Sequence, residues 1–220
     1  MRFFCTNLCD MVTPTDVVWQ CQTHEEIKMQ DIYIDLIHYP LYVLGPRKRV
    51  GVWFEGCSFG CVGCISQHTW EQKEEHQRGV VEVADELCGF DTKRVTITGG
   101  EPFEQPEALL LLLQELRKRG FEDVLVYSGY EIEYLRKNFG EILALIDALV
   151  DGRFDKNRES QESYRGSSNQ ELYILNEDLA PLYEAFRAST RREVQIVDIN
   201  EQVYLLGIPK IEDTQKIVRR

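Results

Sequence analysis

Apolar residues along the chain follow two spacings, which predict strands and helices in alternation. Short apolar runs predict β-strands at residues 32–37, 50–54, 95–98, 124–127 and 148–150. Apolar residues three and four positions apart predict helices at 80–87, from Pro106 onward and at 131–144. Because apolar strands alternate with helices, we expect an α/β fold built on a parallel sheet.

The two ends of the chain depart from this alternation. Residues 1–30 are polar and irregular, and they predict a short N-terminal extension before the main domain at 31–176. Residues 177–220 predict a C-terminal extension made of a helix and a β-hairpin, whose strands at 193–197 and 203–206 flank Asn200. We therefore expect one α/β domain with an addition at each end.

Composition narrows the partners that this domain can have. The chain has 220 residues, 43% of them apolar, and a formal net charge of −12. Phosphate repels an acidic surface, so we expect neither nucleic acid nor a membrane as a partner. The longest leucine-rich run, at 108–113, is far shorter than the roughly 20 apolar residues of a membrane span. The N-terminus has no signal-peptide pattern, and we expect a cytoplasmic protein.

Three of the seven cysteines lie within residues 57–64 and form a C-x-x-x-C-x-x-C pattern: Cys57, Cys61 and Cys64. An odd number of cysteines in a chain without an export signal is a poor fit to a disulfide framework. Thiolates select zinc, copper or iron–sulfur clusters. Three thiolates on a cubane leave the fourth iron open to a small molecule, whereas zinc needs a fourth ligand such as His68. The spacing alone leaves both sites open.

The other cysteines carry weaker signals. Cys5 and Cys9 are four positions apart and Cys21 follows, so a second metal site competes with chance spacing in an irregular extension. Cys88 lies on the apolar side of a predicted helix and is expected to be a core residue.

Polar and glycine residues follow three successive predicted strands. A Gly-Gly-Glu sequence follows the strand at 95–98, Ser128 follows the next, and an Asp-Gly-Arg sequence follows the third. Ligand groups gather at the carboxyl ends of parallel strands, so we expect these residues to face the cysteines. They are Gly99, Gly100, Glu101, Ser128, Asp151 and Arg153.

Five stretches match a known family: VWFEGCSFGCVGCISQHTW (52–70), TITGGEP (96–102), VYSGY (126–130), LVDGRF (149–154) and RGSSNQ (165–170). With them the chain resembles the radical S-adenosylmethionine superfamily, and most closely its anaerobic ribonucleotide reductase activating enzymes. The resemblance covers about residues 32–170. It implies a partial (βα) barrel of parallel strands for the main domain, one 4Fe–4S cluster, and S-adenosyl-L-methionine as cofactor.

The resemblance also assigns roles to residues. Cys57, Cys61 and Cys64 would ligate the cluster, and they are the catalytic residues in this sense. Glu101, with Gly99 and Gly100, would bind the amino group of the cofactor, and Ser128 would lie near its ribose. Gly63 falls where many members hold the adenine against an aromatic residue. Asp151 and Arg153 would lie near the cofactor or the partner's backbone.

The implied function is reductive cleavage of S-adenosylmethionine to a 5′-deoxyadenosyl radical, which would make a glycyl radical on a partner such as an anaerobic ribonucleotide reductase. A flavodoxin- or ferredoxin-type protein would donate the electron. The chain departs from the activating enzymes because it continues for about fifty residues beyond the RGSSNQ stretch. One alternative is a radical enzyme acting on a small molecule or peptide, with the C-terminal hairpin closing or shaping the opening of the site. The other is a non-catalytic zinc or cluster-binding module.

Overall fold

A computed structural model describes residues 30–199 and 201–210 of the protein. The predictions made for Cys5, Cys9 and Cys21 lie outside these residues. Seven strands form one sheet in the order β3-β1-β2-β4-β5-β6-β7. In chain order they are β1 (Asp31–Leu41), β2 (Arg49–Phe54), β3 (Gln77–Gly79), β4 (Arg94–Gly99), β5 (Asp123–Tyr127), β6 (Ala148–Asp151) and β7 (Glu171–Ile174).

The centre of the sheet is parallel, as the sequence predicts. Strands β2, β4, β5 and β6 run in one direction, so their carboxyl ends meet at one edge. Strand β1 pairs antiparallel with β2, β3 with β1, and β7 with β6. The architecture is therefore a mixed α/β fold with a mostly parallel sheet, and the curvature of a partial barrel stays a prediction.

In the part of the chain that the structure describes, five α-helices accompany the sheet: α1 (Val80–Cys88), α2 (Pro106–Lys118), α3 (Ile132–Asn138), α4 (Gly140–Leu143) and α5 (Ala180–Arg187). The continuous helix predicted at 131–144 is wrong, because the backbone leaves the helical region at Phe139 (φ −136°, ψ 38°). The Phe139 ring instead packs 5.3 Å from that of Phe103. Among the described residues, no helix combines the length and the apolar character that crossing a membrane requires.

Both faces of the central sheet are buried, which explains why its strands are apolar at nearly every position. Val124 and Val126 of β5 pack into the cluster that holds the apolar faces of helices α1 and α2. Leu125, between them, packs with Tyr183 of α5 on the opposite face. The alternation follows from the two-residue period of a strand.

The predicted hairpin is confirmed and consists of β8 (Val194–Ile199) and β9 (Gln202–Gly207). Its Leu206 joins Leu41, Leu44 and Trp53 in a third apolar cluster against β1 and β2. The side chain of Gln195 accepts a hydrogen bond from the Tyr42 amide at 2.7 Å. These contacts attach the hairpin to β1, to β2 and to the segment that joins them.

A buried ion pair fixes the amino-terminal edge of the parallel strands. The Arg49 guanidinium donates two hydrogen bonds, at 3.0 and 3.2 Å, to the two carboxylate oxygens of Asp123. Its Nε donates to the Thr96 hydroxyl at 2.6 Å, and the Tyr183 hydroxyl donates to Asp123. Residues from β2, β4, β5 and α5 therefore meet in one fully hydrogen-bonded network.

We expect Asp123→Ala to lower the free energy of unfolding by about 3 to 5 kcal/mol, because it leaves the Arg49 charge buried without its partner. Urea unfolding of the cluster-free, reduced chain measures this. Asp91→Ala is the matched control, since Asp91 is 96% exposed in its pair with Lys48 and such pairs contribute about 1 kcal/mol or less. Equal losses in both variants would contradict the prediction.

Candidate functional site

The three clustered cysteines lie on a loop that leaves the carboxyl end of β2. Two backbone hydrogen bonds close the loop at its base: Gly56 N donates to Thr69 O at 2.8 Å, and Cys57 N to Trp70 O at 3.0 Å. Between the last two cysteines Gly63 has φ +83°, a conformation that favours glycine. The loop is thus a closed unit that presents all three thiols to one side.

A pocket of about 480 Å³ opens at this edge of the sheet. Nine of the ten site residues predicted from the sequence line it, and Asp151 is the exception. The volume lies within the range of about 300 to 1,000 Å³ that is usual for small-molecule and cofactor sites. These nine predicted residues are Cys57, Cys61, Gly63, Cys64, Gly99, Gly100, Glu101, Ser128 and Arg153.

The glycine pair owes its identity first to a close approach of two backbone segments. A Cβ on Gly99 would lie 2.5 Å from the backbone N and O of Phe54, and one on Gly100 would lie 2.4 Å from Gly56 O. Hydrogen bonds of 2.7 Å join Gly100 N to Phe54 O and Glu101 N to Gly56 O across this contact. The expectation that these glycines serve ligand approach is therefore incomplete, because they also hold the end of β4 against the base of the cysteine loop.

Glu101 is a buried carboxylate aimed into the pocket. Its Oε1 accepts hydrogen bonds from Phe103 N at 3.1 Å and from the Ser128 hydroxyl at 2.9 Å, while Oε2 accepts from Gly129 N at 2.6 Å. These three bonds fix its position but use only part of its acceptor capacity, which is about four lone-pair sites. Burial raises the pKa of Glu101 to about 7, against the opposing effect of the three donors.

The Asp151 carboxylate accepts hydrogen bonds from two backbone N–H groups of the protein. One oxygen accepts a hydrogen bond from Ile132 N at 2.8 Å, at the start of α3, and the other accepts from Glu171 N at 3.2 Å, at the start of β7. Its two successors, Gly152 and Arg153, reach the pocket instead. A direct cofactor contact by Asp151 stays a prediction.

Arg153 and Phe59 form a wall of the pocket that sequence reasoning missed in part. The Arg153 guanidinium lies 4.1 Å from the centroid of the Phe59 ring, and Phe59 packs edge-on against Tyr130 at 4.7 Å. A Cβ on Gly129 would lie 2.4 Å from this ring, so the bare backbone there makes room for Phe59. Arg153 forms no ion pair with any residue that the structure describes, which leaves its charge available to a ligand.

The RGSSNQ stretch gains a structural role. Asn169 Nδ2 donates to Arg153 O at 2.7 Å, and Gln170 Nε2 donates to Gly152 O at 2.9 Å. Gln170 Oε1 also accepts from Gly166 N at 3.0 Å, which closes its own loop. The stretch therefore holds the segment that carries Arg153 against the pocket. No signal in spacing or composition could have shown this, because the contacts join loops far apart in sequence.

The hairpin supplies another part of the pocket wall. Leu205, Gly207, Ile208 and Pro209 line it from the side of β9. Because the hairpin is packed on β1 and β2 next to the cysteine loop, its end faces the same opening as the thiols. This is the position that the small-molecule or peptide alternative expects for the hairpin.

The donor set fits an iron–sulfur cluster better than zinc. Sulfurs bound to one zinc at about 2.3 Å must lie about 3.8 Å apart. The three cysteines do not meet such a distance. Within residues 30–199 and 201–210, one group of three Cys, His, Asp or Glu side chains has all its ligand atoms within 4.8 Å of one another, and that group contains no cysteine. His68, the candidate fourth zinc ligand, lies instead 3.4 Å from Asp35, outside the pocket lining.

The thiols are held in a partly buried environment. Burial raises the pKa of Cys57 to about 11 and also raises the pKa of Cys64. Without a metal these groups are neutral thiols at physiological pH. Cluster ligation requires thiolates, so loading the site is coupled to proton release.

Comparison with known proteins agrees with this assignment. A family described as a 4Fe-4S single cluster domain matches residues 43–173, which contain all ten predicted site residues. The anaerobic ribonucleoside-triphosphate reductase-activating protein of Enterobacteria phage T4 is 31% identical over 142 residues, which cover 61% of this chain and 90% of that protein. The proteins of the same name from Vibrio cholerae and Escherichia coli K12 are 29% and 28% identical, covering 62% and 63% of this chain and 94% and 96% of their own lengths.

We expect Gly100→Ala to cost at least about 1 to 3 kcal/mol of stability and to reduce cluster loading, because its methyl group would overlap Gly56 O. Iron per chain after anaerobic reconstitution, together with the thermal midpoint, measures this. Gly140→Ala is the control, since a Cβ there meets nothing within 4 Å. If Gly100→Ala loaded iron as fully as Gly140→Ala, the close approach would not govern the site.

Proposed function

Because the chain belongs to the 4Fe-4S single cluster domain family and to the family of anaerobic ribonucleoside-triphosphate reductase-activating proteins, we propose that it is a radical S-adenosylmethionine enzyme that activates a partner protein. The observation that carries the proposal is the composition of one pocket. Three thiols, a buried carboxylate and an unpaired guanidinium line it together. Such a set suits a cluster together with a ligand that has both an ammonium and a carboxylate group.

A 4Fe–4S cluster held by Cys57, Cys61 and Cys64 would supply the electron that cleaves S-adenosylmethionine to methionine and a 5′-deoxyadenosyl radical. The protein residues position the cofactor. Glu101 accepts from the amino group, because it is buried and has acceptor capacity left. Arg153 pairs with the carboxylate of the methionine moiety, since a guanidinium matches a carboxylate in geometry and charge.

Ser128 acts through Glu101 in this proposal. Its hydroxyl donates to Glu101 Oε1 at 2.9 Å and accepts from Tyr130 N at 3.0 Å, so it holds the carboxylate in the direction of the pocket. Ser128 also lines the pocket, and a contact with the ribose remains compatible with this role. A Cβ on Gly63 would lie 3.5 Å from the Phe154 ring. Both residues line the pocket, and the adenine is proposed to lie beside them.

The partner is proposed to be a protein that carries a glycyl radical, such as an anaerobic ribonucleotide reductase. The three relatives compared above are named as activating proteins for an anaerobic ribonucleoside-triphosphate reductase. Val62 and Ile65 of the cysteine loop are exposed beside the pocket, so its rim offers apolar contact area to a docking loop. A flavodoxin- or ferredoxin-type donor would reduce the cluster.

A second candidate function is favoured by the hairpin. Leu205 and Gly207 to Pro209 line the pocket, yet they lie beyond the family match, which ends at residue 173. A wall that the matched domain does not include would shape the pocket for a different substrate. In this candidate the same radical chemistry acts on a small molecule or a peptide.

We expect the anaerobically reconstituted and reduced protein to convert S-adenosylmethionine to 5′-deoxyadenosine, and Cys61→Ala to lose this activity together with cluster iron. Chromatography of the nucleoside products measures the reaction. Cys88→Ala is the matched control, because Cys88 lies on α1 away from the pocket. Full activity in Cys61→Ala would overturn the cluster assignment. A glycyl radical signal on an added reductase would identify the first candidate, and a modified small substrate the second.

We expect Glu101→Gln to weaken S-adenosylmethionine binding to the loaded protein by at least about tenfold, because a charge-assisted hydrogen bond contributes about 1.5 to 3 kcal/mol. Ser128→Ala should weaken binding less, since it removes only one of the three donors that orient Glu101. Equilibrium dialysis with labelled cofactor measures both variants at equal iron content. Glu107→Gln on α2, outside the pocket, is the control, and unchanged affinity in Glu101→Gln would refute the assigned contact.

A further inference from the structure

A second group of ligand-type side chains lies outside the cysteine pocket. It contains Asp35 of β1, Glu55 directly after β2, and His76 at the end of a short 3₁₀ helix (Glu74–His76). The ligand atoms of these three side chains all lie within 4.8 Å of one another. His76 Nδ1 is 2.7 Å from Glu55 Oε1 and 4.0 Å from Asp35 Oδ1.

Both carboxylates of the group are buried, and one of them is incompletely satisfied. The Asp35 side chain is 4% exposed and the Glu55 side chain is 0% exposed. Asp35 Oδ2 accepts no hydrogen bond from any described residue. Buried polar atoms are nearly always paired, because leaving a charged oxygen unpaired costs free energy. This oxygen faces His68, whose Nε2 is 3.4 Å away.

We propose that Asp35, Glu55 and His76 bind a divalent first-row transition-metal ion. Carboxylates and imidazoles together suit Mn²⁺, Fe²⁺ or Zn²⁺. Two atoms bound to one such ion at about 2.1 Å can lie up to about 4.2 Å apart. His76 Nδ1 lies within that limit of both carboxylates, at 2.7 Å from Glu55 Oε1 and 4.0 Å from Asp35 Oδ1. An ion there would also satisfy Asp35 Oδ2.

Lys73 is the internal competitor for this site. Its Nζ lies 3.3 Å from Glu55 Oε1 and 3.8 Å from Asp35 Oδ1, where it offsets part of the buried negative charge. Its side chain is 38% exposed, so the ammonium can withdraw into solvent when an ion binds. Its backbone N, which donates to Glu55 Oε2 at 2.9 Å, stays in place and continues to hold the Glu55 carboxylate.

The position of the group gives the ion a structural consequence. Glu55 immediately precedes the cysteine loop, whereas His76 follows it, and Asp35 belongs to the neighbouring strand β1. A bound ion would therefore cross-link both ends of the loop to the sheet. Ligands that bind only the folded state stabilise it by mass action, so the ion would also raise the thermal midpoint. This inference does not depend on the chemistry proposed for the pocket.

The test is a titration of the full-length, cluster-loaded chain with Mn²⁺ at physiological ionic strength, with free Mn²⁺ measured by room-temperature EPR. Mn²⁺ is the probe because it prefers oxygen and nitrogen ligands, so cysteines elsewhere in the chain compete weakly. We expect one saturable site per chain and a rise in thermal midpoint. Asp35→Asn and His76→Gln should each weaken binding at least tenfold.

Two further variants separate a metal site from a purely structural ion-pair network. Lys73→Gln removes the competing ammonium and should tighten Mn²⁺ binding several-fold, whereas a network that needs Lys73 would only lose stability. Asp91→Asn, in the exposed pair with Lys48, is the control for surface charge and should leave binding unchanged. Absence of saturable binding, or binding that survives both Asp35→Asn and His76→Gln, would overturn the proposal, and His76→Gln keeps the test valid if Asp35→Asn fails to fold.

Discussion

The close approach of two strand ends sets the geometry of the whole site. Gly99 and Gly100 lie so near the backbone of residues 54–56 that no side chain fits between them, and two 2.7 Å hydrogen bonds join the segments. Cys57 follows on one side of this contact and Glu101 on the other. The backbone positions from which the Cys57 and Glu101 side chains extend are therefore fixed relative to each other by main-chain contacts. Everything else in the pocket is arranged around this contact.

Most of the fold could be predicted because the central strands are apolar and the helices amphipathic. The edge strands could not. Strand β3 is a polar segment of three residues, Gln77–Gly79. Strand β7 has four residues, Glu171–Ile174, too few for a clear alternation, and it is held by pairing with β6. The break at Phe139 depends on its contact with Phe103 from a distant segment. The local pattern therefore predicts the strands and helices whose buried faces follow a regular spacing. The edge strands and the helix break depend on long-range contacts.

The site was predictable to the extent that it follows from strand direction. Residues after parallel strands meet at one edge, and this brought the cysteines, Glu101, Ser128 and Arg153 into one pocket. Asp151 also lies at the carboxyl end of a parallel strand, yet its carboxylate accepts hydrogen bonds from the first residues of α3 and β7. Spacing cannot distinguish these outcomes, because the direction of a side chain at the end of a strand decides whether it meets solvent, a ligand or the backbone. The wall supplied by Leu205 depends on packing between distant elements and left no local signal.

The hairpin has a consequence for how such a protein can diversify. The thiols and Glu101 belong to one stretch of chain, whereas Leu205 and the residues after Gly207 reach the pocket from another. Changes in hairpin length or in its apolar side chains can therefore alter which molecules enter while the reactive groups keep their positions. Two separate parts of the gene therefore encode the lining of one pocket, so the hairpin wall can vary while the thiols and Glu101 keep their positions.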